Sequence, residues 1–313
     1  MSRAYLFPGQ GAQAVGMGLD LAATYAGAKA VFEEVDAALG EDLSELIREG
    51  PIERLTLTEN AQPALMATSL AAVRALAEEG VEIGDGAFVA GHSLGEYSAL
   101  CAAGALTVAD TARLLRLRGR AMQSAVPVGE GAMAALLGLD FEAAAAVAAV
   151  AAEAAEDAVC QAANDNDPAQ VVVSGSKAAV ERAVELAKAR GAKRALLLPV
   201  SAPFHCALMQ PAAEAMQQAL AETEIKAPVV PLVANVTAAA ISDPEEIRRR
   251  LVEQVTGVVR WRESVAWMTA NGVTETVEVG AGKALSGMVR RIDREVTTRA
   301  VNTADDVAAL RAN

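Results

Sequence analysis

The stretch Ala87-Phe88-Val89-Ala90-Gly91-His92-Ser93-Leu94-Gly95 decides how the rest of the chain is read. Ala87 to Ala90 is apolar and reads as a short buried strand. Leu94 to Ala103 reads as a helix closed by Gly104. A strand that passes into a helix over so few residues must turn sharply, and Gly91 and Gly95 supply the backbone freedom. Ser93 then projects from the turn instead of packing. The next backbone N–H, on Leu94, sits at the helix N-terminus and points toward any oxyanion formed where Ser93 attacks a carbonyl. A Gly-rich turn with a capping serine would use the same residues, so the chemistry depends on finding a base.

The chain has 2 histidines, His92 and His205. His92 precedes the serine on the turn itself, and its side chain is expected to point away from Ser93. His205 lies in Leu198-Pro199-Val200-Ser201-Ala202-Pro203-Phe204-His205-Cys206, after a predicted strand and in a loop held by two prolines. That is a firm mount for a general base, and it makes Ser93 and His205 the candidate catalytic pair. Cys206, beside the base, is expected to be dispensable.

At 313 residues and 53% hydrophobic, the chain can bury a full core, as two domains or as one large domain with an insertion. Its formal charge of −13 speaks against nucleic acid as a partner. Cys101, Cys160 and Cys206 are odd in number, far apart and in no metal-ligand spacing, which suits a reducing cytoplasm. The apolar start Ala4–Phe7 breaks at Pro8-Gly9, which reads against a signal peptide, and the alanine-rich run Glu142–Ala155 carries too many acids to span a bilayer. A cytoplasmic protein with no membrane role is expected, with monomer as the default state.

Strands and helices alternate along most of the chain. Strands are predicted at Ala4–Phe7, Ala87–Ala90, Val229–Val233 and Thr274–Val279. Helices are predicted at Ala28–Leu39, Pro63–Glu79 (with Pro63 in its first turn), Val108–Ala125, after His205, and at Pro244–Val255, Trp261–Asn271 and Lys283–Ile292. This order implies a mostly parallel sheet covered on both faces. The middle differs: strand Met133–Leu137, helix Phe141–Ala155, strands Val159–Ala163 and Gln170–Ser174, helix Lys177–Arg190, strand Ala195–Leu198. That βαββαβ order is ferredoxin-like. The expected domains are therefore 1–126 with 200–313 as a large α/β unit and 127–199 as an inserted subdomain. Ser93 and His205 fall on either side of the insertion, so their cleft lies where the two units meet.

The predicted helix Val108–Ala125 carries four arginines. At about 100° per residue, Arg113, Arg116 and Arg120 share one face within about 60° and read as an ordinary solvated surface. Arg118 projects about 140° from Arg113, among Leu114, Leu115, Ala121, Met122 and Ala125. A buried guanidinium keeps its proton and needs an anion beside it. That anion is either an internal carboxylate or a substrate carboxylate held by the planar fork.

Several blocks, in order, resemble one family. They are Phe7-Pro8-Gly9-Gln10-Gly11-Ala12-Gln13, Gln62-Pro63-Ala64-Leu65, Gly91-His92-Ser93-Leu94-Gly95-Glu96-Tyr97-Ser98-Ala99-Leu100, Arg118-Gly119, Asn164-Asp165-Asn166 with Gln170-Val171-Val172, and Pro199-Val200-Ser201-Ala202-Pro203-Phe204-His205. They look like the malonyl-CoA:acyl carrier protein transacylases of fatty-acid synthesis, over nearly the whole chain. The resemblance implies a hydrolase-like α/β core with an inserted ferredoxin-like subdomain, in agreement with the pattern above. It implies Ser93 as nucleophile, His205 as base, the backbone N–H groups of Gln10 and Leu94 as oxyanion hole, and the main-chain carbonyl of Gln254 as the group orienting the histidine. Arg118 would clamp the malonyl carboxylate, with Gln62 and Asn164 in the substrate site. Malonyl-CoA and an acidic, phosphopantetheine-bearing acyl carrier protein are the implied partners, and no metal or redox cofactor is needed. The family's usual Gly-Pro-Gly stands here as Gly280-Ala281-Gly282, which is expected to loosen that turn slightly.

Other classes share parts of the pattern. A serine hydrolase uses the same elbow but usually supplies an acid ahead of a histidine near the C-terminus, and nothing in a hydrolase requires Arg118. Gly9-x-Gly11-x-x-Ala14 imitates a dinucleotide-binding turn, but Pro8 and the lack of a suitable second-strand acid argue against it. A non-catalytic docking subunit would not need Ser93, His205 and Arg118 together. Carrier docking by an acidic protein calls for a local basic patch, and Arg190, Lys193 and Arg194, or Arg290, Arg291 and Arg294, are the candidates.

Overall fold

The computed structural model describes residues 2–153 and 155–311. Its strands are β1 (Arg3–Phe7), β2 (Phe88–Gly91), β3 (Gly131–Leu137), β4 (Cys160–Asp167), β5 (Gln170–Ser176), β6 (Arg194–Leu197), β7 (Leu232–Ala234), β8 (Ala239–Ile241), β9 (Glu275–Val279) and β10 (Thr297–Val301). They form two sheets. The larger has the order β10-β9-β1-β2-β7-β8; its neighbours are parallel except for the β7–β8 hairpin. The central strands are buried on both faces, as parallel strands between helical layers must be. The second sheet has the order β4-β5-β3-β6 with every pair antiparallel. Helices Phe141–Ala152 and Lys177–Ala189 connect its strands and share a separate apolar cluster with them. That is the ferredoxin-like βαββαβ arrangement, so the expected fold class is the observed one. The tail of the predicted helix Phe141–Ala155 includes residue 154, outside the described residues.

The helix predicted to start at Pro63 spans Thr58–Glu78, so Pro63 stands inside it. An interior proline strands the carbonyl four residues back, here that of Glu59. Arg116 resolves this by donating from Nη1 to the Glu59 carbonyl at 2.7 Å and from Nη2 to Glu41 at 2.7 Å. Arg116 is buried, not solvated as its spacing suggested. Three residues on, Gly119 allows the helix Val108–Ser124 to close on Thr58–Glu78, because a Cβ there would stand 2.5 Å from the Glu59 Cα. This close crossing brings Arg118 beside Gln62.

Strand β4 fastens the second sheet to the first. It runs through Asp167, with bulges around Ala163 and Asn166, where the pattern predicted a strand ending at Ala163. Its buried Asp165 and Asp167 pair with Arg262 and Arg291, which lie on helices Trp261–Ala270 and Ala284–Ile292 of the larger unit. No helix among the described residues is long and apolar enough to cross a membrane.

Candidate active site

The turn after β2 is as tight as its glycines suggest. A Cβ on Gly91 would stand 1.9 Å from the Gly95 carbonyl carbon, and one on Gly95 would stand 2.2 Å from the Phe7 carbonyl oxygen. Ser93 itself takes the left-handed conformation, φ 54°. Such a conformation costs a non-glycine residue about 1–3 kcal/mol and persists only where its surroundings hold it. Asn235, immediately after β7, does the holding: its Oδ1 accepts the Ser93 N–H at 2.8 Å, and its Nδ2 donates to the Gly91 carbonyl at 2.6 Å. Leu94 then leads into the helix Gly95–Ala102, with its N–H at the helix N-terminus.

Ser93 Oγ lies 2.7 Å from Nε2 of His205. The other imidazole nitrogen, Nδ1, donates to the main-chain carbonyl of Gln254 at 2.9 Å, so the nitrogen facing Ser93 is the acceptor. His205 is buried and also sits at positive φ, 58°. Burial, and then the nearby Arg118 charge, push its pKa down to about 3, so the imidazole is neutral and free to accept a proton. A neutral acceptor on a serine hydroxyl, oriented by a third group, is the arrangement that activates a nucleophile. Here a carbonyl takes the place of a carboxylate. As expected, His92 points away from Ser93 and pairs with Asn166 Oδ1 at 2.8 Å.

Arg118 is 1% exposed. Nη1 donates to Gln62 Oε1 at 2.8 Å, and Nη2 donates to Gln254 Oε1 at 2.8 Å and reaches Ser93 Oγ at 3.3 Å. The guanidinium also lies over the Tyr97 ring, 5.7 Å from its centre. Its Nε–H has no hydrogen-bond partner among the described residues. No carboxylate among them stands within ion-pair distance, so the alternative of a direct internal salt bridge is not what the structure contains. Burial lowers the Arg118 pKa, against the opposing pull of Tyr97 and Glu96.

These groups open into a cavity of about 420 Å³ between the two sheets. Gln10, Gln62, Ser93, Leu94, Arg118 and His205 line it from the larger unit, and Met133, Asn164 and the segment Leu198–Val200 line it from the second. Gln254, behind Ser93 and His205, completes the set, so the structure brings together every site residue that the sequence nominated. Three buried residues were missed. Thr58 joins Gln10 to Gln62, Asn235 holds the turn, and Glu96 accepts from Gln254 and Asn235. The available signal was a lone acid in an apolar helix and a lone amide at the end of an apolar strand.

The fold and this site define an acyl transferase: residues 4–306 match the family model described as the acyl transferase domain, and the chain belongs to that family. Among its members the chain is 48% identical to the malonyl CoA-acyl carrier protein transacylase of Bacillus subtilis over 304 residues, 97% of this chain and 94% of that one. It is 48% identical to the enzyme of the same name from Escherichia coli K12 over 306 residues, 98% and 97% of the two chains. An acyl-carrier-protein-S-malonyltransferase from Bartonella henselae superposes with a TM-score of 0.96 at 56% identity, covering 100% of this chain and 99% of that one. A malonyl-transacylase solved in complex with its type II PKS acyl-carrier protein superposes at 0.95 with 43% identity, each chain covered in full at 100%.

Proposed function

We propose that this acyl transferase moves a malonyl group from malonyl-CoA to the phosphopantetheine thiol of an acyl carrier protein, through a malonyl ester on Ser93. The observation that carries the choice of acyl group is Arg118: a buried cation 3.3 Å from the Ser93 hydroxyl, with neutral hydrogen-bond partners and a spare N–H. A buried guanidinium of this kind is incomplete until an anion arrives. An acyl group that ends in a carboxylate supplies it, and the planar fork can hold both oxygens.

His205 Nε2 takes the proton of Ser93 Oγ as the oxygen attacks the thioester carbonyl. The carbonyl of Gln254 holds the imidazole in the accepting tautomer and stabilises the cation that forms. Negative charge on the former carbonyl oxygen is met by the backbone N–H groups of Leu94 and Gln10; one such donor is worth about 10²–10³ in rate. As the tetrahedral centre collapses, His205 returns its proton to the CoA sulfur and malonyl-Ser93 remains. The carrier thiol then follows the same steps in reverse order, so the kinetics are ping-pong. Gln62 and Asn164 line the path of the acyl group. On this reading residues 127–199 are an inserted unit, whose β4 and Leu198–Val200 wall the cleft, and the enzyme works as a cytoplasmic monomer.

The test is transfer from malonyl-CoA to a purified holo-acyl carrier protein, followed by mass. Carrier malonylation, with acetyl-CoA much the poorer donor, supports the proposal. Release of free malonate with no carrier product would make the protein a thioester hydrolase instead.

A further inference from the structure

Glu96 is 1% exposed, lies one helical turn beyond Ser93 and takes no part in the mechanism above. Its Oε2 accepts from Gln254 Nε2, and its Oε1 lies 3.3 Å from the backbone N–H of Asn235. The same Gln254 side chain presents its Oε1 to Arg118 Nη2 at 2.8 Å. A buried cation and a buried acid are thus held at opposite ends of one side-chain amide, coupled but not touching. The titratable and charged groups that face Glu96 are Arg118, from the helix Val108–Ser124, and Tyr97, its neighbour in sequence. His205 stands one step away, on the main-chain carbonyl of Gln254.

We propose that Glu96 is a proton-linked counter-charge to Arg118: it balances the guanidinium while the pocket is empty and takes up a proton when a substrate carboxylate occupies that guanidinium. This rests on the reading of Arg118 as the seat of a malonyl carboxylate. In the empty pocket one buried positive charge and one buried negative charge offset each other. A malonyl carboxylate on Arg118 adds a second anion to the same water-poor volume, and two carboxylates sharing one cation raise the pKa of the less directly paired one. Glu96 is that one, since it reaches Arg118 only through Gln254. The proton comes from bulk water and lands on a Glu96 carboxylate oxygen; no other bond changes in this step. Burial already holds the Glu96 pKa at about 7, within reach of such a response. An acetyl group carries no carboxylate and leaves Glu96 as it was.

The experiment is proton uptake in weakly buffered solution with an indicator dye, read as the protein is mixed with malonyl-CoA or acetyl-CoA, with the acyl adduct counted by intact mass. A rise of about one pH unit in the Glu96 midpoint corresponds to about half a proton taken up per malonyl group near pH 7.5. Acetyl adducts should give none, and they carry the same thiol release as a control. Glu96→Gln should acquire malonyl without uptake, and its equilibrium constant for malonyl-adduct formation should lose the fall of about tenfold that wild type shows as pH rises from 6 to 9. Equal uptake with malonyl and acetyl, or uptake retained in Glu96→Gln, overturns the inference while malonyl transfer itself stands. Failure of wild type to acquire malonyl removes the function on which it rests. Should Glu96→Gln not fold, the malonyl–acetyl difference in wild type decides alone.

Discussion

Replacing Arg118 with alanine removes the cation of the cleft and opens space beside Ser93. The guanidinium is committed to Gln62 and Gln254 at 2.8 Å each and approaches Ser93 Oγ, while its Nε–H is unclaimed. If a malonyl carboxylate completes this set, truncation removes one partner of a desolvated, charge-assisted pair, at a cost of about 2–5 kcal/mol. That corresponds to a loss of about 30-fold to several thousand-fold in kcat/KM for malonyl-CoA. Acetyl-CoA should lose far less, since acetyl makes no use of the charge. Arg118→Lys should recover only part of the malonyl rate, keeping the charge without the planar fork. Stability should change little at and below about pH 7, where Glu96, left without its counter-charge, takes a proton, and the amide oxygens of Gln62 and Gln254 can turn to water in the opened cleft. The assay is single-turnover acylation with each acyl-CoA, beside a thermal melt of each variant. An unchanged malonyl-to-acetyl ratio, or equal losses on both donors with a lowered Tm, would refute the clamp.

His205 is held neutral down to about pH 3 by burial and by Arg118, so kcat/KM for acetyl-CoA should show no acid limb with the midpoint of about 6.5 that an exposed histidine base gives. The same shift has a stability sign. Unfolded His205 gains a proton below about 6.5 while the folded residue does not, so wild type should lose stability relative to His205→Ala as pH falls from 6.5 toward 3; parallel melts check it. Gly95→Ala should destabilise by about 1–3 kcal/mol or more, because its Cβ would stand 2.2 Å from the Phe7 carbonyl oxygen. Gly84→Ala, with nothing within 4 Å, should leave Tm nearly unchanged in the same denaturation series. Charge reversal at the exposed Lys193 and Arg194 should raise the KM for carrier protein and leave that for malonyl-CoA unaltered; equal changes in both would move the docking surface elsewhere.

The elements with strong period or firm punctuation were legible from the residues alone. The strand–elbow–helix around Ser93, the βαββαβ order of the middle and the buried setting of Arg118 all follow from residue spacing and glycine punctuation within each segment. What escaped was set by tertiary contact. Pro63 reads as a helix start, but the helix begins at Thr58 because Arg116, fifty-odd residues on, satisfies the carbonyl that the proline strands. The same contact takes Arg116 off the solvated face. Strand β10 mixes one exposed and one half-buried threonine with a buried valine, and β8 has three residues, too few to show alternation. Helices Leu19–Thr24, Leu43–Glu49 and Ile52–Thr56 are likewise too short to show a period. In the site, the groups that touch the reaction were nominated by residue type and motif. Asn235, which holds the backbone of the turn, and Glu96, which holds the Gln254 side chain, show in the sequence only as a lone amide and a lone acid in apolar surroundings, because their partners lie more than a hundred residues away.

The most direct measurement is the intact mass of the protein after brief mixing with malonyl-CoA, followed by peptide mapping of the adduct. The expected result is a gain of one malonyl group, located on Ser93, lost on addition of holo-acyl carrier protein and absent in Ser93→Ala. An adduct that persists in Ser93→Ala, or one mapped to Cys206, would contradict the assignment of Ser93 as the residue that carries the acyl group.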